Sequence, residues 1–177
     1  MSHDRIPLLI DTDPGVDDAL ALLMAFDDMQ SDSGRHQVVG LTIAAGNVGL
    51  AHTVANALKL CEVCGVDVPV FAGTDAPLVF PARDAAYVHG RDGFGDTGYA
   101  PAARAAEAEH AALAILRLSH AHAGKLLLVA LGPLTNLALA LKLDPSLPSR
   151  VARCVVMGAA VTAHGNITPA AEFNIAF

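Results

Sequence analysis

Four carboxylates crowd one short segment near the start of the chain. The segment DTDPGVDD lies where an apolar run gives way to a helical pattern, and it contains Asp11, Asp13, Asp17 and Asp18. Like charges this close repel one another and raise each other's pKa unless a helix N-terminus or a bound cation offsets them. Helix capping accounts for one or two acidic residues but not for four. Oxygen ligands without a nearby histidine or cysteine suit Ca²⁺ or Mg²⁺, so the segment predicts a cation site.

Amide and carboxylate side chains also follow later apolar runs. Asn47 ends the segment AAGN, where it either presents its amide to a ligand hydroxyl or satisfies its own turn, and taken alone the turn is favoured. The segment NITPAAEFN contributes Asn166, Glu172 and Asn174. Amides and one carboxylate without a cationic partner suit the recognition of hydroxyl groups, as on a sugar, although ordinary loop polarity explains these three residues equally well.

A glycine-rich segment, HGRDGFGD, begins at His89 inside the long stretch 73–101. It lacks the Lys-Ser/Thr ending of a phosphate-binding loop and does not link a strand to a helix, which argues against phosphate binding. The segment is therefore either a mobile flap that carries one imidazole to a site or a solvated flexible loop.

Alternating apolar and helical patterns separate these polar segments. Strands are predicted at residues 7–10, 37–44, 68–72, 125–131 and 151–157, and helices at residues 16–26, 50–63, 107–121 and 133–143. The first helix is predicted from the helical spacing of Val16, Leu20, Leu23 and Met24. Near-continuous apolar strands separated by helices indicate an α/β fold, with an open, mainly parallel, Rossmann-like sheet and helices on both faces. In such folds the ligand binds beyond the carboxyl ends of the strands, where the polar segments fall.

The composition excludes several classes of protein. The 177 residues suit one domain or part of a larger one, and a hydrophobic content of 53% excludes intrinsic disorder. The net charge of −7 argues against nucleic acid or an anionic membrane surface as a partner. No membrane span or targeting segment is predicted, since turn residues break the longest apolar stretch, 126–141. Three cysteines without framework spacing favour a reducing, cytoplasmic compartment.

Taken together, the motifs resemble those of the nucleoside hydrolases of the inosine–uridine type. The segment DTDPGVDDAL looks like the N-terminal signature of that family, and the match continues in family order through Gly46-Asn47, His89-Gly90, LGPLTN at 131–136 and residues 166–174. The resemblance implies the nucleoside hydrolase fold and the Ca²⁺-dependent hydrolysis of the N-glycosidic bond of purine and pyrimidine ribonucleosides to ribose and free base. It also implies a homo-oligomer, a dimer or a tetramer, for the full-length protein.

The resemblance further implies a role for each matched residue. Asp13 is expected to bind Ca²⁺ and to act as the general base, Asp18 to be a bidentate Ca²⁺ ligand, and the main-chain carbonyl of Leu131 to be another ligand. His89 matches a histidine on the substrate side, and Asp11 matches the first aspartate of the signature, which supports the site. The positions that match ribose-binding residues are Asp17, Asn47, Asn166, Glu172 and Asn174.

The family's pattern runs on beyond Phe177, so residues 1–177 are expected to be the N-terminal portion of a single nucleoside hydrolase domain whose C-terminal part is missing. In the family that part supplies another Ca²⁺-ligating aspartate and, in many members, a histidine near the leaving base. Two other interpretations stay open. One is a truncated chain that binds ribose or Ca²⁺ without turnover. The other is a phosphatase of the haloacid-dehalogenase type, which also opens with Asp-x-Asp after a first strand, although Pro14-Gly15 and the Asp17-Asp18 pair fit that pattern badly.

Overall fold

A five-stranded sheet forms the centre of the computed structural model, which describes residues 5–177. All neighbouring strands are parallel, and their order across the sheet is β3-β2-β1-β4-β5. The strands are β1 (Ile6–Thr12), β2 (His36–Ile43), β3 (Val70–Ala72), β4 (Leu126–Ala130) and β5 (Val151–Val156). The chain moves outward from β1 first in one direction and then in the other, so β1 lies at the switch point where such sheets bind ligands. The predicted open parallel sheet is confirmed.

Helices pack against both faces of this sheet. They are α1 (Val16–Gln30), α2 (Leu50–Cys64), α3 (Ala86–His89), α4 (Ala111–Ala121), α5 (Thr135–Leu143) and α6 (Phe173–Ala176), with a 3₁₀ turn at Leu147–Ser149. Leu8 and Ile10 of β1 belong to the apolar core under α1 and α2, whereas Leu9 belongs to the core under α4 and α5. Successive side chains of a strand point to opposite faces, so a continuous apolar strand fills both cores.

Helix α1 has the predicted type but packs by a different face from the one its apolar spacing indicated. Leu22 and Phe26 are buried, and Asp18 is buried on the same side of the helix. Positions i, i+4 and i+8 share one side of a helix, so burial of Asp18 at the end of the sheet also turns Leu22 and Phe26 inward. The residues that suggested the helix lie on its outer side, with exposed fractions between 41% and 67%: Val16, Leu20, Leu23 and Met24.

Two other boundaries differ from the sequence prediction. Helix α4 begins at Ala111 rather than at residue 107, because the Glu107 main-chain N–H donates to the carbonyl of Val70 in β3 and the ring of His110 caps the helix. The segment 158–177, predicted as an irregular loop, ends in the short helix α6, which Glu172 caps through the Asn174 amide. In both cases a side chain or main-chain group from the flanking turn decides where the helix starts.

Apolar side chains are exposed at the end of β5 and at the residue that follows it. Val155, Val156 and Met157 have exposed fractions of 40%, 44% and 48%, and within residues 5–177 β5 pairs only with β4. Despite this apolar surface, no helix in the described residues is long and apolar enough to cross a membrane.

Candidate functional site

The segments that follow the strands meet in one cleft at the carboxyl end of the sheet. The cleft has a volume of about 780 Å³. Of the residues predicted for the site, every one except Asp11 lines it: Asp13, Asp17, Asp18, Asn47, His89, Leu131, Asn166, Glu172 and Asn174. Residues far apart in the sequence are thus brought together by the parallel arrangement of the strands.

Asp13 follows β1 directly and is almost completely buried. Its Oδ2 accepts a hydrogen bond from the Asn47 main-chain N–H at 2.7 Å, and its main-chain carbonyl accepts one from Asn47 Nδ2 at 3.0 Å. A Cβ atom on Gly46 or Gly132 would collide with the carboxylate, so the close packing here requires glycine after both β2 and β4. The ends of the two neighbouring strands therefore form a socket for this one side chain.

Asp18 connects the end of β1 to the first turn of α1. Its Oδ1 accepts from Thr12 Oγ1 at 2.6 Å, and its Oδ2 accepts from Asn47 Nδ2 at 2.9 Å and from the Gly15 amide at 3.2 Å. The bond to Gly15 is a helix cap, and the same carboxylate also lines the cleft. Helix capping and a place in the candidate site are therefore both properties of Asp18.

Two of the carboxylates that line the cleft, those of Asp13 and Asp18, resist ionising together. Burial raises the pKa of Asp13 well above its ordinary value, and the charge of Asp18 raises it further, against the Asn47 N–H that lowers it. Burial also raises the pKa of Asp18, while hydrogen bonds from Thr12 and Gly15 lower it. A cation placed between two such groups would stabilise both anions.

The oxygen atoms around Asp13 belong to carboxylates and a carbonyl, the ligand types that a hard cation prefers. The carboxylates of Asp13 and Asp18 line the same cleft as Leu131, whose carbonyl accepts from Asn174 Nδ2 at 2.7 Å and keeps a second lone pair. Within residues 5–177, no three His, Cys, Asp or Glu side chains converge into a metal-binding group. Ca²⁺ takes roughly six to eight oxygen ligands, so water or other groups would have to complete this set.

Asp11 lies beneath the cleft, fully buried in the sheet. Its Oδ2 accepts from Thr42 Oγ1 at 2.6 Å and from Asn136 Nδ2 at 3.1 Å, and its Oδ1 has no partner among the described residues. Burial raises the pKa of Asp11 to about 7, although the hydrogen bonds from Thr42 and Asn136 oppose the rise. Sequence reasoning missed the roles of Thr42 and Thr12, for which a hydroxyl near the carboxyl end of a mostly apolar strand was the available signal.

Glu172, Asn174 and Asn166 hold the last segment of the chain against the cleft. Glu172 Oε1 accepts from the main-chain N–H of Asn174 at 3.0 Å, and its Oε2 accepts from the main-chain N–H of Ala159 at 3.3 Å. Asn166 Oδ1 accepts from the Phe173 amide at 2.8 Å. The side chains of Glu172 and Asn166 thus shape this loop, and all three residues border the cleft.

His89 is the last residue of α3 and is nearly buried, with its imidazole against the start of α1. Its Nδ1 accepts from the Val16 amide at 3.3 Å and lies 3.8 Å from Asp17 Oδ1. The Asp17 side chain is 74% exposed at this rim. The glycine-rich stretch therefore carries its imidazole to the cleft.

Comparison with known proteins identifies similar chains. The family model described as inosine-uridine preferring nucleoside hydrolase matches residues 8–177. The chain is 44% identical over 176 residues to uridine nucleosidase 1 of Arabidopsis thaliana, covering 98% of this chain and 50% of that protein. It is 37% identical over 175 residues to the pyrimidine-specific ribonucleoside hydrolase RihB of Escherichia coli, covering 97% and 53%.

Solved structures of similar proteins share the fold. A plant nucleoside hydrolase, PpNRh1, superposes with a TM-score of 0.87 at 37% identity, covering 96% of this chain and 52% of that one. The purine-preferring ribonucleoside hydrolase from Gardnerella vaginalis gives a TM-score of 0.87 at 32% identity, covering 96% and 54%. The chain spans about half the length of the curated relatives it matches.

Proposed function

Because the chain belongs to the inosine–uridine preferring nucleoside hydrolase family, we propose that the full-length protein hydrolyses the N-glycosidic bond of ribonucleosides with Ca²⁺ as cofactor. The products are ribose and a free base, and the substrates include purine and pyrimidine nucleosides. The observation that carries this proposal is the convergence of two buried aspartates with an amide and carboxylate cluster in one cleft. We further propose a homo-oligomer, and a cytoplasmic location that accords with three free cysteines.

Asp13 is the proposed general base. Its carboxylate is fixed by the Asn47 N–H and lines the cleft, where it can take up a proton from an attacking water. Asp13, Asp18 and the Leu131 carbonyl would hold Ca²⁺, which when bound lowers the pKa of a water and orients the sugar hydroxyls. Departure of the base leaves positive charge on the ribosyl ring, and the cleft carboxylates stabilise that charge.

The ribose is proposed to lie between the start of α1 and the last segment of the chain. Asp17 lines the first side, and Asn166, Glu172 and Asn174 line the other. Asn47 donates both side-chain N–H groups, one to Asp13 and one to Asp18, so its side-chain oxygen is the atom left to accept a hydrogen bond from a ribose hydroxyl. His89, at the same rim as Asp17, is placed on the side of the substrate.

The phosphatase interpretation of the Asp-x-Asp segment is wrong, because the chain belongs to a different family over residues 8–177. The proposed function is tested by incubating the full-length protein with inosine and with uridine and quantifying ribose and free base. Equimolar products are expected with Ca²⁺, and their formation should stop in excess chelator and resume when Ca²⁺ is restored. Failure to release ribose from either nucleoside, in protein shown to be folded, would contradict the proposal.

The role of Asp13 has its own test in the same assay. Asp13→Asn keeps an oxygen that can accept from the Asn47 N–H, so the fold is retained while the base is lost. Turnover should fall by at least roughly a hundredfold. Asp27→Asn, which removes a carboxylate from the exposed side of α1, is the control and should leave turnover unchanged. Near-normal turnover in Asp13→Asn would remove Asp13 from this role.

A further inference from the structure

Asn56 uses its whole side-chain amide to join two segments of the candidate site. It lies in the middle of α2 and is 1% exposed. Its Nδ2 donates to the Pro14 carbonyl at 2.8 Å and to the Asp92 carbonyl at 2.9 Å, and its Oδ1 accepts from the Tyr99 hydroxyl. Pro14 belongs to the carboxylate turn, residues 11–18, and Asp92 and Tyr99 belong to the segment 85–99 that carries His89, which we name the flap.

The flap approaches Asn56 so closely that only glycine fits at the contact. A Cβ atom on Gly93 would lie 2.7 Å from Asn56 Nδ2, and Gly93 has a φ of +84°, a conformation that other residues adopt at a cost. Beside it, Phe94 packs against the apolar core and its ring contacts that of Tyr99 at a centroid distance of 5.6 Å. The flap is thus docked by a buried polar bridge surrounded by apolar contacts.

Two further hydrogen bonds hold the flap nearer the cleft. The Ala85 amide donates to the Asn47 carbonyl at 2.9 Å, and His89 Nδ1 accepts from the Val16 amide at 3.3 Å, a long bond. The two bonds donated by Asn56, at 2.8 and 2.9 Å, are shorter than the His89 bond, and loss of the donor would leave the buried Pro14 carbonyl and the half-buried Asp92 carbonyl without it. Unsatisfied buried polar groups are costly, so the bridge favours the docked flap strongly over an undocked one.

We propose that Asn56 is a positioning residue that docks the flap on the carboxylate turn, so that His89 faces the bound nucleoside. This inference rests on the proposed function. Without the bridge, only a fraction of the molecules has a docked flap, and the apparent affinity for nucleoside is the intrinsic affinity multiplied by that fraction. Saturating nucleoside draws the flap back, so KM rises while kcat is retained. A merely structural loss of folded enzyme would do the reverse and lower kcat at unchanged KM.

The test compares three variants of the full-length protein. Asn56→Ala removes the bridge from the side of α2, and Gly93→Ala pushes the flap away from Asn56 without changing the buried helix. Val63→Ala is the matched control, because Val63 lies in the same helix as Asn56, is 72% exposed and takes no part in the bridge. For uridine or inosine, the first two variants should raise KM about tenfold with kcat within about threefold of wild type, and the control should stay near wild type.

Hydrogen exchange gives a readout that does not depend on turnover. The Ala85 amide, which joins the flap to the Asn47 carbonyl, should exchange at least about tenfold faster in Asn56→Ala and Gly93→Ala, while amides of β1 and β4 keep wild-type rates. Unchanged KM together with wild-type flap exchange in both variants would overturn the proposal. If the wild-type protein hydrolyses no nucleoside, the proposed function fails, and flap exchange alone then decides whether Asn56 docks the flap.

Discussion

At the scale of single residues, the candidate site gathers acidic groups in a place that disfavours their charge. Asp11, Asp13 and Asp18 are all buried, and burial is the largest cause of the raised pKa of each. The pKa of Asp11 has the fewest causes of the three, because burial raises it and only hydrogen bonds from Thr42 and Asn136 lower it. The same arrangement that suits a cation therefore costs stability whenever these carboxylates are ionised without one.

This cost predicts a pH dependence of the free energy of unfolding in chelator. The pKa of Asp11 is raised from 3.8 to about 7 in the folded state, so the folded state binds the proton more tightly than the unfolded state. The stabilising contribution of protonated Asp11 is then complete below about pH 4 and is lost as the pH rises through about 7. In urea denaturation with chelator, wild type should be less stable at pH 8 than at pH 5.

Asp11→Asn isolates this contribution from those of the other titrating groups. The asparagine side chain at this position cannot ionise, so the decrease in unfolding free energy between pH 5 and pH 8 should be smaller than in wild type. An equal decrease in Asp11→Asn and wild type would show that Asp11 is not the group responsible.

At the scale of elements, the sequence was informative about where polar residues gather and less informative about how each helix packs. The polar segments were predicted to meet because the carboxyl ends of parallel strands share one edge, and they do. The buried face of α1 was not predicted, since Asp18 rather than the apolar spacing decides which side turns inward. Asn56 was missed because the Pro14 and Asp92 groups it binds are main-chain carbonyls, which leave no mark on residue type.

The packing of α1 is tested by two leucines on the same helix. Leu22 is fully buried, so Leu22→Ala leaves a cavity and should lower the free energy of unfolding by about 2–5 kcal/mol. Leu20 is 62% exposed, so Leu20→Ala should cost less than about 1 kcal/mol. Denaturant midpoints of both variants against wild type give the comparison. A larger loss in Leu20→Ala than in Leu22→Ala would mean that α1 packs by the opposite face.

At the scale of the whole molecule, two features of the described residues lack partners: the edge of the sheet at β5 and the proposed set of cation ligands. β5 exposes apolar side chains and has one strand partner within the described residues, and such an edge is a template for association with another chain. The proposed cation ligands are two carboxylates and one carbonyl that line the cleft, fewer than Ca²⁺ prefers. The curated relatives are about twice as long as this chain.

Residues 1–177 expressed alone should therefore associate or aggregate and show little or no hydrolysis of inosine or uridine, even with added Ca²⁺. Light scattering after size-exclusion chromatography gives the mass in solution, and ribose release gives the activity. The full-length protein in the same buffer is the control for both measurements. A monodisperse monomer with turnover near that of the full-length protein would show that the catalytic set is complete within these residues.

The central claim is that the cleft is a Ca²⁺-dependent nucleoside site in which two adjacent aspartates have different roles. Asp18 is buried and faces Asp13, whereas Asp17 is exposed at the rim beside His89. The most direct measurement is calorimetric titration of the full-length protein with Ca²⁺, comparing wild type with Asp18→Asn and Asp17→Asn. One Ca²⁺ per chain should bind to wild type and to Asp17→Asn, and binding should weaken at least about tenfold in Asp18→Asn. Undiminished Ca²⁺ binding in Asp18→Asn, or no binding by wild type, would contradict the account.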